Sequence, residues 1–228
     1  MNGRNRLLWL IIFAVAMGLL EAAVVVYLRE LYYPENVLKI FPAKLFSIRD
    51  LVTELSREVA TMVMLFSVGW LAERNFWRRF AAFMTVWGIW DITYYFWLKV
   101  FIGWPTSLIE FDILFLIPVA WIGPVLAPMM IALVMSVFGG YVVWNEDVEP
   151  KIDAWSVTLV AAGGLIDFLC FIWPSLKIAI RSGAEGFRGF EPSSFAWIPF
   201  MIGWAIFTVG VGMAALRGKS KPLEVENG

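Results

Sequence analysis

LLWLIIFAVAMGLLEAAVVVYL, residues 7–28, is a long apolar run broken by one charge, Glu21. A bilayer core of about 30 Å takes about 20 apolar residues in a helix, so this stretch is long enough to cross. Arg4 and Arg6 before it give it the opening of a secretory signal. Its apolar character continues well past the usual core of about 7–15 residues, which predicts a membrane helix.

Comparable runs follow at 51–72, 80–102, 124–144, 155–173 and 195–216. Ser47 stands three residues before Asp50 in a capping arrangement, so the second helix extends over 48–73. Gly103-Trp104-Pro105 ends the third. The stretch 107–121, by contrast, reaches only about 22 Å at 1.5 Å per residue. Pro118, Pro124 and Pro128 surround breaks there, so it reads as a short helix or a re-entrant segment.

The expected fold is an all-α polytopic transmembrane helical bundle of about seven spans, six if the fourth is re-entrant. Residues 1–228 form a single integral membrane domain, with 29–47 as an interfacial connection and 217–228 as a polar C-terminal tail. Tryptophans recur at alternating ends of the runs, where indole rings favour the lipid–water boundary. The basic flanks Arg4-Asn5-Arg6 and 74–79 put the N-terminus on the cytoplasmic side of a bacterial-type inner or plasma membrane, although the basic tail at 217–221 argues the other way.

Composition agrees. The chain is 61% hydrophobic, 17% aromatic and 16% charged, with mean hydropathy +0.75. Soluble domains run at about 45–50% apolar and about 25% charged. A net charge of −1 gives no pull toward nucleic acid. Cys170 is the single cysteine, so an internal disulfide is excluded. Histidine is absent, which excludes imidazole-ligated zinc, bis-histidine haem and Ser-His-Asp catalysis. There is no Walker loop, dinucleotide glycine motif or metalloprotease motif.

The informative residues are ionisable groups where lipid is expected: Glu21, Glu54, Glu58, Asp91, Asp112 and Asp167, with Arg57 and Lys99. Such groups are costly in a bilayer and face a bundle interior or a cavity. In an up-and-down bundle, Glu21, Glu54, Glu58, Asp91 and Asp112 fall in one half of the membrane. Glu21, Glu58, Asp91 and Asp112 are therefore expected to converge on one polar site, with Arg57 and Tyr95 at its edge. Glu54 ranks lower, and Asp167 belongs either to that site or to a separate relay.

So many acids beside one arginine must be balanced by protons or by bound cations. A carboxylate shell suits a hard divalent cation, held by Glu21, Glu58, Asp91 and Asp112 if one binds; no cofactor is otherwise indicated. The plain alternative is structural, with Arg57 pairing with Glu21 or Asp91 and acids hydrogen-bonding between helices. The glycine patches around 163–164, 139–140 and 210–212 read as close-packing points. Three functions remain open: a small transporter or ion-coupled protein binding protons or a hard cation; a membrane-embedded enzyme acting on a lipid-like substrate; and a non-catalytic subunit of a larger membrane complex. The lipid bilayer is the expected partner, with other membrane proteins or further copies of this chain as candidates.

Overall fold

A computed structural model describes residues 1–44 and 47–220. Residues 45–46 of the expected interfacial connection and 221–228 of the polar tail lie outside the described residues. Among the described residues are six long helices: α1 (Gly3–Tyr32), α2 (Ile48–Ala72), α3 (Phe76–Ile102), α4 (Leu126–Trp144), α5 (Ala154–Ser182) and α6 (Trp197–Leu216). Five of them, α1, α2, α4, α5 and α6, are long and apolar enough to cross a membrane, which marks the chain as an integral membrane protein. The 27-residue α3 is as long as these. It carries Trp87, Trp90, Asp91, Tyr94 and Tyr95, and it packs against α1, α2 and α4. A helix so enclosed need not be apolar all round.

Helix ends are set as local chemistry requires. The Ser47 hydroxyl accepts from Asp50 N at 3.2 Å, so α2 begins where the capping arrangement places it. Asp153 caps α5 by accepting from Ser156 N at 2.9 Å, and that N–H holds its carboxyl below the usual range. Gly103, at φ 73, closes α3 in the left-handed conformation. Lys99, exposed near that end, donates to Gly103 O at 3.0 Å and Pro105 O at 2.9 Å. Pro174 lies inside α5, and the helix runs on past it to Ser182, beyond the expected end at 173.

The expected fourth span is not a helix. Residues 107–121 enter an antiparallel hairpin of β1 (Phe111–Phe115) and β2 (Trp121–Pro124), with Asp112 opposite Gly123. The β-branched and aromatic residues of β1 suit a strand, and Pro118 sits in the turn, where a helix would lose a hydrogen bond. The hairpin reaches back into the bundle, and its backbone is supplied with partners there. Leu116 N donates to both oxygens of Glu58 on α2, each at 3.0 Å. The Ser175 hydroxyl on α5 donates to Ala120 O. Irregular backbone is tolerated at membrane depth only with such partners. Residues 107–121 therefore contribute a hairpin folded into the bundle and not a further long helix.

One end of the bundle is tied by ions. Arg6 pairs with Glu73 at 2.7 Å and Arg78 with Glu73 at 3.0 Å. Arg78 also donates to Asn145 O at 3.1 Å and Val148 O at 2.6 Å. Lys151 N donates to Ala214 O at 2.9 Å. The two-residue strands β3 (Val148–Glu149) and β4 (Lys219–Ser220) pair beside them. The starts of α1, α3 and α5 and the ends of α2, α4 and α6 are thus together. At the other end the connection after α1 meets the α5–α6 loop, which holds a 3-10 turn (Ala184–Phe187), through Ala43 N to Phe190 O at 3.0 Å.

Glycines permit the closest helix approaches. A Cβ on Gly139 of α4 would stand 2.6 Å from Ala81 O of α3, and one on Gly210 of α6 would stand 2.7 Å from Val160 N of α5. The Gly140 position is open, with its nearest neighbour at 3.8 Å.

Gly139→Ala is expected to lower thermal stability in detergent by about 1–3 kcal/mol equivalent, while Gly140→Ala leaves it unchanged. Equal melting of the two variants would refute the close α3–α4 contact. Side-specific reporters inserted before Gly3 and after Arg217 are expected to report the same membrane face; opposite faces would contradict the arrangement of helix ends.

Candidate functional site

The buried face of α2 carries Glu54, Glu58, Thr61, Leu65 and Gly69, a helical spacing that turns two acids inward. On α1, Glu21 and Arg29 are buried and lie on one face, eight residues apart. The structure brings Glu21, Arg57, Glu58, Asp91 and Tyr95 to the wall of one small cavity of about 60 Å³, together with Thr61, Tyr94 and Trp90. Depth explains the meeting. Glu21 lies eighteen residues into α1, Asp91 fifteen into α3, and Glu58 fourteen before the end of α2. At 1.5 Å per residue all stand about 21–27 Å from the same end of the bundle.

Most of these acids are matched. Arg57 ion-pairs with Glu21 and, at 2.8 Å, with Glu54. The Thr61 hydroxyl donates to the second oxygen of Glu21 at 3.3 Å. Glu58 is held by Leu116 N of the hairpin. The Arg57–Glu21–Glu54 bridge realises the pairing anticipated as the plain structural alternative.

Asp112 departs from the expected convergence. It does not line the cavity; it pairs with Arg29 at 3.5 Å, and the Tyr95 hydroxyl stands within hydrogen-bonding reach of it. The Arg29 guanidinium lies 3.8 Å from the centroid of the Trp104 ring and is only 3% exposed. Arg29 and Thr61 were absent from the expected site. The helical spacing from Glu21 to Arg29 was the available signal for the arginine, hidden because Arg29 falls at the polar edge of an apolar run.

Among the described residues, two of the buried acids have neither an ion pair nor a hydrogen bond, and Asp112, though paired with Arg29, keeps its Oδ2 without a partner. Asp91 Oδ2 and both carboxylate oxygens of Asp167 are buried without a hydrogen bond, and Asp167 is 2% exposed. Asp167 is not in the small cavity. It lines a second, larger one of about 590 Å³, and Asp91 lines that one too. This groove lies between α3 and α5, with α4 and α6 behind it and the hairpin residues Leu114, Phe115 and Trp121 across one end. Asp91 and Asp167 are fifteen and thirteen residues into helices that start at the same end, so their depths, about 22 and 20 Å, agree. Gly203 of α6 faces Asp167 Oδ1 and leaves it room. Trp90 Nε1, at the wall of both cavities, is buried and also without a partner.

Among the described residues, no group of three or more carboxylates or cysteines is placed to hold a metal ion. The divalent-cation shell anticipated from Glu21, Glu58, Asp91 and Asp112 meets a physical obstacle: Arg57, Leu116 N and Arg29 already occupy three of the four. What the arrangement can do chemically is take up a proton or a monovalent cation at Asp91 and Asp167.

Arg57→Gln is expected to destabilise the protein by about 3 kcal/mol, because it leaves two buried acids unmatched. Adding Glu21→Gln to that variant restores part of the loss. A double variant no more stable than Arg57→Gln would show that the bridge carries no coupling energy.

Compared with protein-family models, with curated proteins and with solved structures, the chain matches none.

Proposed function

We propose that the chain is a small ion-coupled membrane transporter of six crossings, in which Asp91, with Glu58 and Asp167, takes up and gives back a proton. The supporting observation is the place of Asp91, in the wall common to the small polar cavity and the large apolar groove. A carboxylate in that position senses both compartments. With its Oδ2 unpaired, it binds a proton or a cation rather than remaining a bare charge in a low dielectric.

The coupling runs through the hairpin. Phe115 and Trp121 stand across the end of the groove, and Leu116 between them in sequence is anchored on Glu58. A proton arriving at Glu58 weakens its hold on Leu116 N, because a neutral carboxyl accepts less strongly than a carboxylate. That makes Glu58 the link between protonation and the element that closes the groove. Arg57, already committed to Glu21 and Glu54, fixes α1 against α2 while this happens.

A second reading has one observation in its favour. The groove's rim carries exposed Trp77 and Phe80 on α3 and exposed Val157 on α5, so its side faces lipid. A membrane enzyme acting on a lipid-like substrate needs such a mouth, and lipid turned over by the purified protein would favour it.

The test is proton entry into liposomes holding the purified protein and a pH-sensitive dye, under an imposed gradient. Wild-type protein is expected to admit protons, Asp91→Asn to fall to the rate of protein-free vesicles, and Glu185→Gln, on the exposed 3-10 turn, to match wild type. Wild-type rates in both Asp91→Asn and Glu58→Gln would overturn the reading.

A further inference from the structure

We infer that the groove between α3 and α5 is a binding site for an amphipathic cation, an ammonium or phosphonium head on a bulky hydrocarbon or aromatic body. This names the cargo of the transport reading and rests on it for the fate of the bound molecule. The binding itself is argued from the groove alone.

Size is the first observation. A volume of about 590 Å³ lies within the range of about 300–1,000 Å³ typical of small-molecule sites. Charge is the second. The lining contains two acids, Asp91 and Asp167, and no lysine or arginine. The arginine across the wall at the small cavity, Arg57, is committed to Glu21 and Glu54. Asp167 is 2% exposed and neither of its oxygens has a partner. A buried carboxylate without a partner is costly, and a cationic head at this depth removes that cost.

The rest of the lining selects what the head is attached to. Trp87, Trp90, Phe115, Trp121 and Phe168 line the same groove as the acids, with Trp121 and Phe168 in edge contact at 5.0 Å. Aromatic faces attract a weakly hydrated cation and pack an apolar body. The competing occupants fit less well. A neutral acyl chain leaves both carboxylates unmatched. An anion meets two acids and no base. A hard metal ion needs several oxygens at once, and no group of three or more ligating side chains is placed for it among the described residues. The lipid-facing mouth matches an amphipathic cation, which partitions into bilayers and reaches the groove sideways.

Tetraphenylphosphonium and its neutral relative triphenylphosphine oxide test this. Binding is read on the detergent-purified protein from quenching of tryptophan fluorescence, since the groove holds Trp77, Trp87, Trp90 and Trp121. Tetraphenylphosphonium is expected to bind saturably and more tightly than the phosphine oxide. Asp167→Asn is expected to weaken it at least about tenfold, equivalent to about 1.4 kcal/mol, without changing the phosphine oxide. Equal binding of the two probes to wild type overturns the cation site, and this comparison stands even should the Asp167→Asn chain fail to fold. Tetraphenylphosphonium binding to folded Asp167→Asn and Asp91→Asn at wild-type strength overturns it as well. Intact, Asp91-dependent proton entry without preference for the cationic probe overturns the site and leaves the proton reading standing. A clear preference for that probe with wild-type proton entry in Asp91→Asn does the converse.

Discussion

A carboxylate enclosed by apolar helices needs a cation, N–H donors or a proton to offset its lost hydration, and the architecture of this bundle follows from how that need is met. Arg57 serves Glu21 and Glu54, joining α1 to α2. Arg29 serves Asp112, joining α1 to the hairpin. Leu116 N serves Glu58, joining the hairpin to α2. Glu21, Asp112 and Glu58 each tie two elements together in this way, while Glu54 pairs within α2. Asp91 and Asp167 are left over, and they are the two that face the large groove.

The hairpin is the least expected part of this scheme. A strand pair in the middle of a helical membrane protein exposes backbone groups that lipid cannot satisfy. Here β1 and β2 satisfy each other, and Glu58 and Ser175 from two different helices supply the turn. The same contact that makes the hairpin tolerable thus connects it to an ionisable side chain. The glycine contacts at 69, 139, 163 and 210 bring α2 to α3, α3 to α4, and α5 to α6 at backbone distance. Between α3 and α5 there is no such extensive packing, and the groove occupies the space that remains.

The sequence by itself determined that the chain is a helical membrane protein. Length and hydropathy fix that, because about 20 apolar residues in a row have few alternatives to a crossing helix. It also determined the shared depth of Glu21, Glu58 and Asp91, since counting residues along antiparallel helices measures depth at 1.5 Å per residue. Serine at 47 was legible as a cap from its spacing to Asp50. What counting cannot yield is rotation and lateral neighbourhood. Only the tertiary structure decided that 111–124 pairs as strands, because 107–121 is apolar enough for a short helix and the partners at Glu58 and Ser175 lie far away in the chain. Only the tertiary structure decided that Arg29 turns inward to Asp112 while Asp167, at a depth similar to Asp91, faces the groove. Those outcomes depend on which helix stands beside which, and side-chain pairing across helices is set by packing that one-dimensional spacing does not encode.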